Sequence, residues 1–445
     1  MLAAPLPLLP LLASPSLGLA VGLVAIAAFL AARSVAYPVA LAALPSVVVG
    51  LNGSNPFPKG AIFLFMSAWL LMAVGFILLK EGLAAFAGAG RWALFVTIGL
   101  ALVALIRVAP GAYPALKLKF FIAQNLPLLL AGILIARRRR DFNLFVVLSV
   151  VAAAVSALVL LKQFAQGNAQ AFYPERFALS AEDNPIGFGR VASDGILFAV
   201  FIVLTVTDRR LRLLGMVVLP LVTIALVASG SRGPVLALCA GLVAALLFLL
   251  RDPTARRRLV LVLAALSVGA IAIPKLLPAA TIQRSVSFLL GNGTGLSSNG
   301  RTHLWTEAWQ AFTTHPLFGV GTGGFAQIEP SFKYPHNLVL EVSAELGIVG
   351  LVLLLAFVVP TAAPLIRAWH GAIGVDRAAA ALIAALLTSS LVNSLLSDSL
   401  EGSSAVWFAA GLAYGLASRP TLVGEADGVS PRSVELQRPI ANARA

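Results

Sequence analysis

Hydrophobic positions in this chain come in unbroken runs of roughly 16 to 20 residues with few charges inside them, the length a helix needs to cross a bilayer. The short alternating segments of a transmembrane barrel are not found. The pattern predicts thirteen candidate spans: 17 to 32, 35 to 50, 61 to 79, 92 to 108, 120 to 136, 142 to 161, 191 to 206, 213 to 229, 235 to 250, 259 to 277, 338 to 359, 378 to 396 and 404 to 417. Residues 418–445 lose the pattern and are expected to form a disordered cytoplasmic tail after a membrane domain over 1–417. The expected fold is all-α, a polytopic helical bundle of about 12 transmembrane helices with a large external loop that contains short helices.

Composition and charge then orient the bundle. Of 445 residues, 59% are apolar and 11% charged, about half the charge of an ordinary soluble domain. The net charge of +14 suggests nucleic acid only until its placement is read. Arg137 to Arg140, Arg209 with Arg210 and Arg212, and Arg251 with Arg256 to Arg258 each sit between two apolar runs, on every second connection. By the positive-inside rule these connections are cytoplasmic, so no nucleic-acid partner is expected. The loops 162–190, 230–234 and 278–337 then face outward. Thirteen full spans would place the N-terminus outside. Pro38 and Pro45 suggest that one early candidate is a half-helix, which leaves twelve spans with both ends inside. No basic residue precedes Arg33, so a cleavable signal peptide is not expected. The single cysteine, Cys239, lies in an apolar run and offers neither a disulfide framework nor a thiol metal site.

The long loop 278–337 carries most of the chemistry. Leu304, Trp305, Ala308, Trp309 and Phe312 predict one apolar stripe on a helix ended by Pro316, placed in the outer interface or on the bundle's rim. Gly319-Val320-Gly321-Thr322-Gly323-Gly324 fits a dinucleotide-binding spacing but lacks a strand before it. It is better explained as a turn that brings backbone close to another segment. Asn52-Gly53-Ser54 and Asn292-Gly293-Thr294 match a glycosylation pattern that is common by chance.

Arg190, Arg232 and Arg301 lie on the outward side, where basic residues are depleted, and a guanidinium there suits bidentate binding of a lipid phosphate. His336-Asn337 opens a span into which Glu341 and Glu345 follow on one helix face. Intramembrane ionisable groups are functional candidates by default. A neutral His336 can accept the proton of an attacking hydroxyl while arginines stabilise a departing pyrophosphate; Glu341 and Glu345 either share in this or only pair with Arg or orient the bundle. Metal is not expected from His303 and His315 with Glu307 and Glu329, or from Glu182-Asp183. Weak Mg²⁺ binding through a substrate's own phosphates stays open.

The ordered set Ser231-Arg232-Gly233, Arg301 with Trp305, Trp309 and Pro316, Gly319-Val320-Gly321, and His336-Asn337 with Glu345 and Gly347 resembles the signature of the O-antigen ligase and polymerase superfamily. The resemblance implies an inverting glycosyltransferase of a Gram-negative inner membrane, with its site on the periplasmic side, no metal and no cofactor. Its donor would be an undecaprenyl-pyrophosphate-linked O-antigen and its acceptor, in the ligase branch, lipid A-core, with membrane lipids around it. His336 would then be catalytic, Arg190, Arg232 and Arg301 would bind the pyrophosphate, and Asn337 and Glu345 would support them. Arg190 rests on its loop position and not on the signature. The polymerase branch shares these residues, and overall likeness favours the ligase. A lipid-linked glycan transporter or flippase is the reading from another class. It would place ionisable residues in mid-membrane, whereas here they cluster at the outer boundary.

Overall fold

The computed structural model describes residues 26–42, 47, 61–86, 88–166, 171–173, 176–179, 184–286, 301–371 and 375–419. The candidate spans 17–32 and 35–50 fall partly outside them. The two glycosylation tripeptides, Glu182-Asp183 and residues 420–445 fall wholly outside them.

The protein is an all-α polytopic bundle. Ten helices among the described residues are long and apolar enough to cross a membrane. They include α1 (Ala61–Glu81), α2 (Ala89–Ile106), α3 (Ala112–Arg137), α4 (Arg139–Ala165), α5 (Pro185–Thr205), α6 (Arg209–Ala228), α7 (Arg232–Leu249) and α8 (Pro253–Leu276). Beyond α8 come the short α9 (Ala279–Val286), then α10 (Arg301–Thr314), α11 (Leu338–Val358), α12 (Val375–Ser397) and the shorter apolar α13 (Ser404–Ala417). The α11 segment continues to Gly371 as part of one candidate span, and α12 contributes the tenth. A small antiparallel hairpin, β1 (Ala171–Tyr173) with β2 (Arg176–Phe177), follows α4.

Large apolar residues such as Leu79, Phe95 and Ile106 stay exposed, as they must on helices that face lipid. Inside, helices approach through small residues: a Cβ on Gly132 of α3 would meet the backbone N of Leu412 in α13 at 2.8 Å, the close contact that small residues permit between membrane helices. The arginine clusters also pack. Arg137 bonds Glu81 at 3.1 Å, Arg139 meets Asp376 at 2.6 Å, and Arg258 donates to the Val206 carbonyl at 2.8 Å. Arg419 was assigned to the tail by composition, yet it is buried, pairs with Asp376 at 2.8 Å and donates to the Ala136 carbonyl at 2.7 Å.

Two irregularities shape the end of the bundle that carries the long loop. In α3 a π-helical turn spans Phe121–Asn125, and Pro127 just after it withholds the N–H that would bond the Ala123 carbonyl. In α11, expected as one continuous span, Gly347 adopts φ 65° and ψ −158° and breaks the helix. The glycine loop enters this break. Val320 and Gly321 donate to the carbonyls of Ala344 and Glu345, each at 2.9 Å, while Ile348 and Val349 donate to Pro316 and Leu317 at 2.8 and 3.3 Å. The two helical bonds lost at Gly347 are thus replaced on both sides, as buried backbone requires.

Candidate functional site

The glycine run is a close-approach turn. Gly319, Gly321 and Gly323 all have positive φ, and a Cβ on Gly319 would fall on backbone atoms of Glu345, so only glycine fits. Thr322 sews the loop to the end of α2: its N–H donates to the Arg107 carbonyl at 2.7 Å, its carbonyl accepts from Ala109 at 3.0 Å, and its hydroxyl donates to Ala104 at 2.8 Å.

Beneath this loop lies a buried ion cluster that the hydrophobic pattern did not reveal. Lys117 of α3, fully buried, bonds Glu341 and lies 2.7 Å from Glu345. Glu345 also accepts from the Gly323 N–H at 2.8 Å, and Glu341 from the Leu400 N–H at 2.9 Å. Asn125, on the π turn, donates to the Leu400 carbonyl at 2.9 Å. Intramembrane carboxylates demand a partner, and that demand is the signal by which Lys117 could have been found. Starting the span at residue 120 left Lys117 outside it. Glu345 therefore anchors the scaffold and does not line the cleft described below.

The second organiser is the C-terminal end of α12. The last carbonyls of a helix have no intrahelical partner and carry partial negative charge. Here Leu395 accepts from Asn337 Nδ2 at 3.0 Å, Leu396 accepts from Arg301, and Ser397 accepts from Arg190 at 3.3 Å. Arg190 in addition pairs with Asp398 at 3.0 Å. The sequence reading placed Arg190 in a loop, whereas α5 begins at Pro185 under an Asn184 cap and Arg190 belongs to its second turn.

Around Ser231 the connections at the end of the bundle opposite the arginine clusters converge on a cavity of about 160 Å³ lined by Arg176, Arg232, Arg284 and Arg301, with Ser231 and Ser397 among its other walls. Each arginine comes from a different element: β2, the start of α7, α9 and the start of α10. Arg176 donates to Ser231 Oγ at 3.1 Å and Arg232 Nε to the Arg284 carbonyl at 3.3 Å. Four arginines from four elements thus converge on one small space. Of the three expected arginines, Arg232 and Arg301 line it. Arg190 does not; it holds the Ser397 carbonyl behind it. Arg176 and Arg284 do line it, and sequence reasoning gave them no role, because neither stands in the recognised signature.

His336 stands beside this cleft. Its φ of 56° is rare for a residue with a Cβ. The preceding Pro335 carbonyl is held by Trp305 Nε1 at 3.1 Å, and the following Asn337 caps α11 by accepting from Leu340 N at 3.1 Å. The imidazole lies 4.2 Å from the Tyr334 ring. Burial, reinforced by the positive charge of Arg301, pushes its pKa down to about 4, so the ring is neutral at physiological pH. Burial pushes the Tyr334 hydroxyl up to about 12. Nδ1 of His336 is buried with no hydrogen-bond partner among the described residues. Strain and an unsatisfied polar atom together make His336 a candidate for chemistry.

The expected helix of the long loop is present as α10, but its buried face is Leu304, Ala308 and Ala311, not the full aromatic stripe. Trp309 is exposed and packs its ring 5.5 Å from Phe312. His303 lies 3.7 Å from Glu307 and 3.5 Å from Glu329 and is not among the residues that line the cleft.

No curated protein matches the chain. Residues 215–355, which hold Arg232, Arg284, Arg301, His336 and the broken helix, match the family model described as O-antigen ligase, and this match supports a glycosyltransferase-like role of the ligase and polymerase type in a multi-pass membrane protein.

Proposed function

We propose that the protein is an inverting O-antigen ligase that moves O-antigen from undecaprenyl pyrophosphate to a hydroxyl of lipid A-core on the periplasmic side of the inner membrane. The single observation that carries this reading is the convergence of four arginines on one cleft beside a neutral His336 whose Nδ1 has no hydrogen-bond partner among the described residues. The donor's pyrophosphate occupies the cleft, where Arg176, Arg232, Arg284 and Arg301 neutralise it by charge-assisted hydrogen bonds. The acceptor hydroxyl donates to His336. Its oxygen attacks the anomeric carbon, the bond from that carbon to the phosphate oxygen breaks, and the proton passes to the imidazole. Charge building on the departing pyrophosphate is stabilised by the arginines. That same charge raises the affinity of His336 for the proton it must take, offsetting the low value in the empty site. Every group in this scheme belongs to the chain or its two substrates, so no cofactor takes part.

The orientation rests on the three arginine clusters lying at the opposite ends of α3 to α8 from the cleft. The test is transfer in liposomes from an undecaprenyl-pyrophosphate glycan with lipid A-core present and EDTA added. Glycan on lipid A-core supports the ligase. Growth of the glycan on its own carrier would instead identify a polymerase, and flipping without transfer a transporter.

A further inference from the structure

The helices α5 and α7 that carry the cleft at one end frame a second cavity at the other. It encloses about 700 Å³, within the range of roughly 300–1,000 Å³ typical of pockets that engulf a ligand. Since α7 has 18 residues at about 1.5 Å rise each, the two sites stand roughly 27 Å apart along the helix axis, close to the thickness of a hydrocarbon core. The inner walls are apolar, with Val146, Phe201 and Leu249, and the rim is basic, with Arg251 and Arg377.

The rim groups are set to receive an anion. Arg251 is fixed by its stack over the Trp369 ring at 3.7 Å and by a bond to the Trp369 carbonyl at 3.0 Å, which leaves further N–H donors of its fork available. Arg377 Nε is buried with no hydrogen-bond partner among the described residues, and it lies in the first turn of α12, where backbone N–H groups add positive character. The acid of the rim, Asp252, is turned to cap α8 through the Thr254 N–H at 2.8 Å. An apolar chamber under a basic rim at the membrane boundary matches one class of ligand, a lipid with an anionic head.

We infer that this cavity binds an acyl chain of an anionic phospholipid from the leaflet beside the arginine clusters, with the headgroup phosphate held by Arg251 and Arg377. The site is separate from the transfer chemistry and does not depend on which glycan is moved. The lipid ties α4, α5, α7 and α12 together at the end remote from the cleft.

The test uses the full-length protein in detergent, titrated with phosphatidylglycerol or phosphatidylcholine of identical chains and read by native mass spectrometry and thermal melting. Wild type should bind phosphatidylglycerol about tenfold tighter than phosphatidylcholine, as expected of charge-assisted contacts, and should melt higher with it. Arg251→Gln/Arg377→Gln should lose that preference. Val147→Trp, which fills the chamber and leaves both charges, should lose the bound lipid in the same way, so the test does not hang on the arginine variant's folding. Arg256→Gln/Arg257→Gln, on the same side but off the cavity wall, should keep the preference. Equal binding of the two lipids to wild type, retention of the preference by Val147→Trp, or its loss in the Arg256 and Arg257 variant would overturn the assignment.

Discussion

Lys117 Nζ stands 2.7 Å from Glu345 Oε2, joining α3 to the first half of the broken helix, before Gly347, across 228 residues of sequence. Through Glu345 the same ammonium reaches the Gly323 N–H, and through Glu341 it reaches Leu400. The glycine loop, the His336-bearing end of α11 and the segment after α12 are thus held by one buried charge. Removing a partner from such a pair leaves an uncompensated ion and costs about 3–5 kcal/mol.

Lys117→Met should accordingly lower the detergent melting temperature and abolish transfer together, with Lys117→Met/Glu341→Gln/Glu345→Gln regaining part of the stability. A Lys117→Met protein as stable as wild type would remove the cluster from the account.

The break in α11 makes its own prediction. Gly347→Ala places a Cβ on the Leu317 backbone at positive φ, and the strain should cost about 1–3 kcal/mol or more. Gly75→Ala, where nothing lies within 4 Å, should be neutral or slightly stabilising. Equal melting temperatures for the two variants would argue that the loop does not insert.

Much of this architecture was legible in the chain. The apolar runs predicted the all-α bundle, and Arg232, Arg301 and His336 stand together at the end of the bundle opposite the arginine clusters, as their order suggested. The rest depends on distances between segments remote in sequence. Lys117 escaped because a lysine pair, Lys117 and Lys119, beside a span looks like an interfacial anchor until the acids that pair with Lys117 are found. Arg176 and Arg284 escaped because they converge only once a hairpin and a short helix are folded. Arg190 misled because a position inside a cap-initiated helix reads as a loop when only hydrophobicity is followed. The carbonyls at the end of α12 have no side-chain signature at all.

The arginines should divide by role. Arg176→Ala and Arg284→Ala should each weaken donor binding by roughly 10- to 150-fold, the range of about 1.5–3 kcal/mol for a hydrogen bond to a charged group. Arg190→Ala frees Asp398 from its ion pair and should lower stability more than donor affinity. Titration of a lipid pyrophosphate followed by tryptophan fluorescence would separate these cases; unchanged affinity in Arg176→Ala and Arg284→Ala would exclude both from the cleft's function.

Acid should act through His336. Its folded value of about 4 lies below the roughly 6.5 of a free imidazole, so the unfolded chain binds more protons between those values and stability falls as pH drops from about 6.5 toward 4. His336→Gln should flatten this part of the melting profile. In turnover, kcat should fail at a higher pH than kcat/KM, because bound pyrophosphate raises the imidazole's proton affinity. Coincident acid limbs would show that His336 does not take up the proton beside the donor.

The central claim is a division of labour between the imidazole and the arginine cleft, and it is tested most directly by measuring donor affinity and single-turnover transfer on the same preparations of wild type, His336→Ala and Arg301→Ala. The account predicts that His336→Ala binds the undecaprenyl-pyrophosphate donor as wild type does and transfers nothing, while Arg301→Ala loses affinity and rate together. Transfer at a wild-type rate by His336→Ala would contradict it.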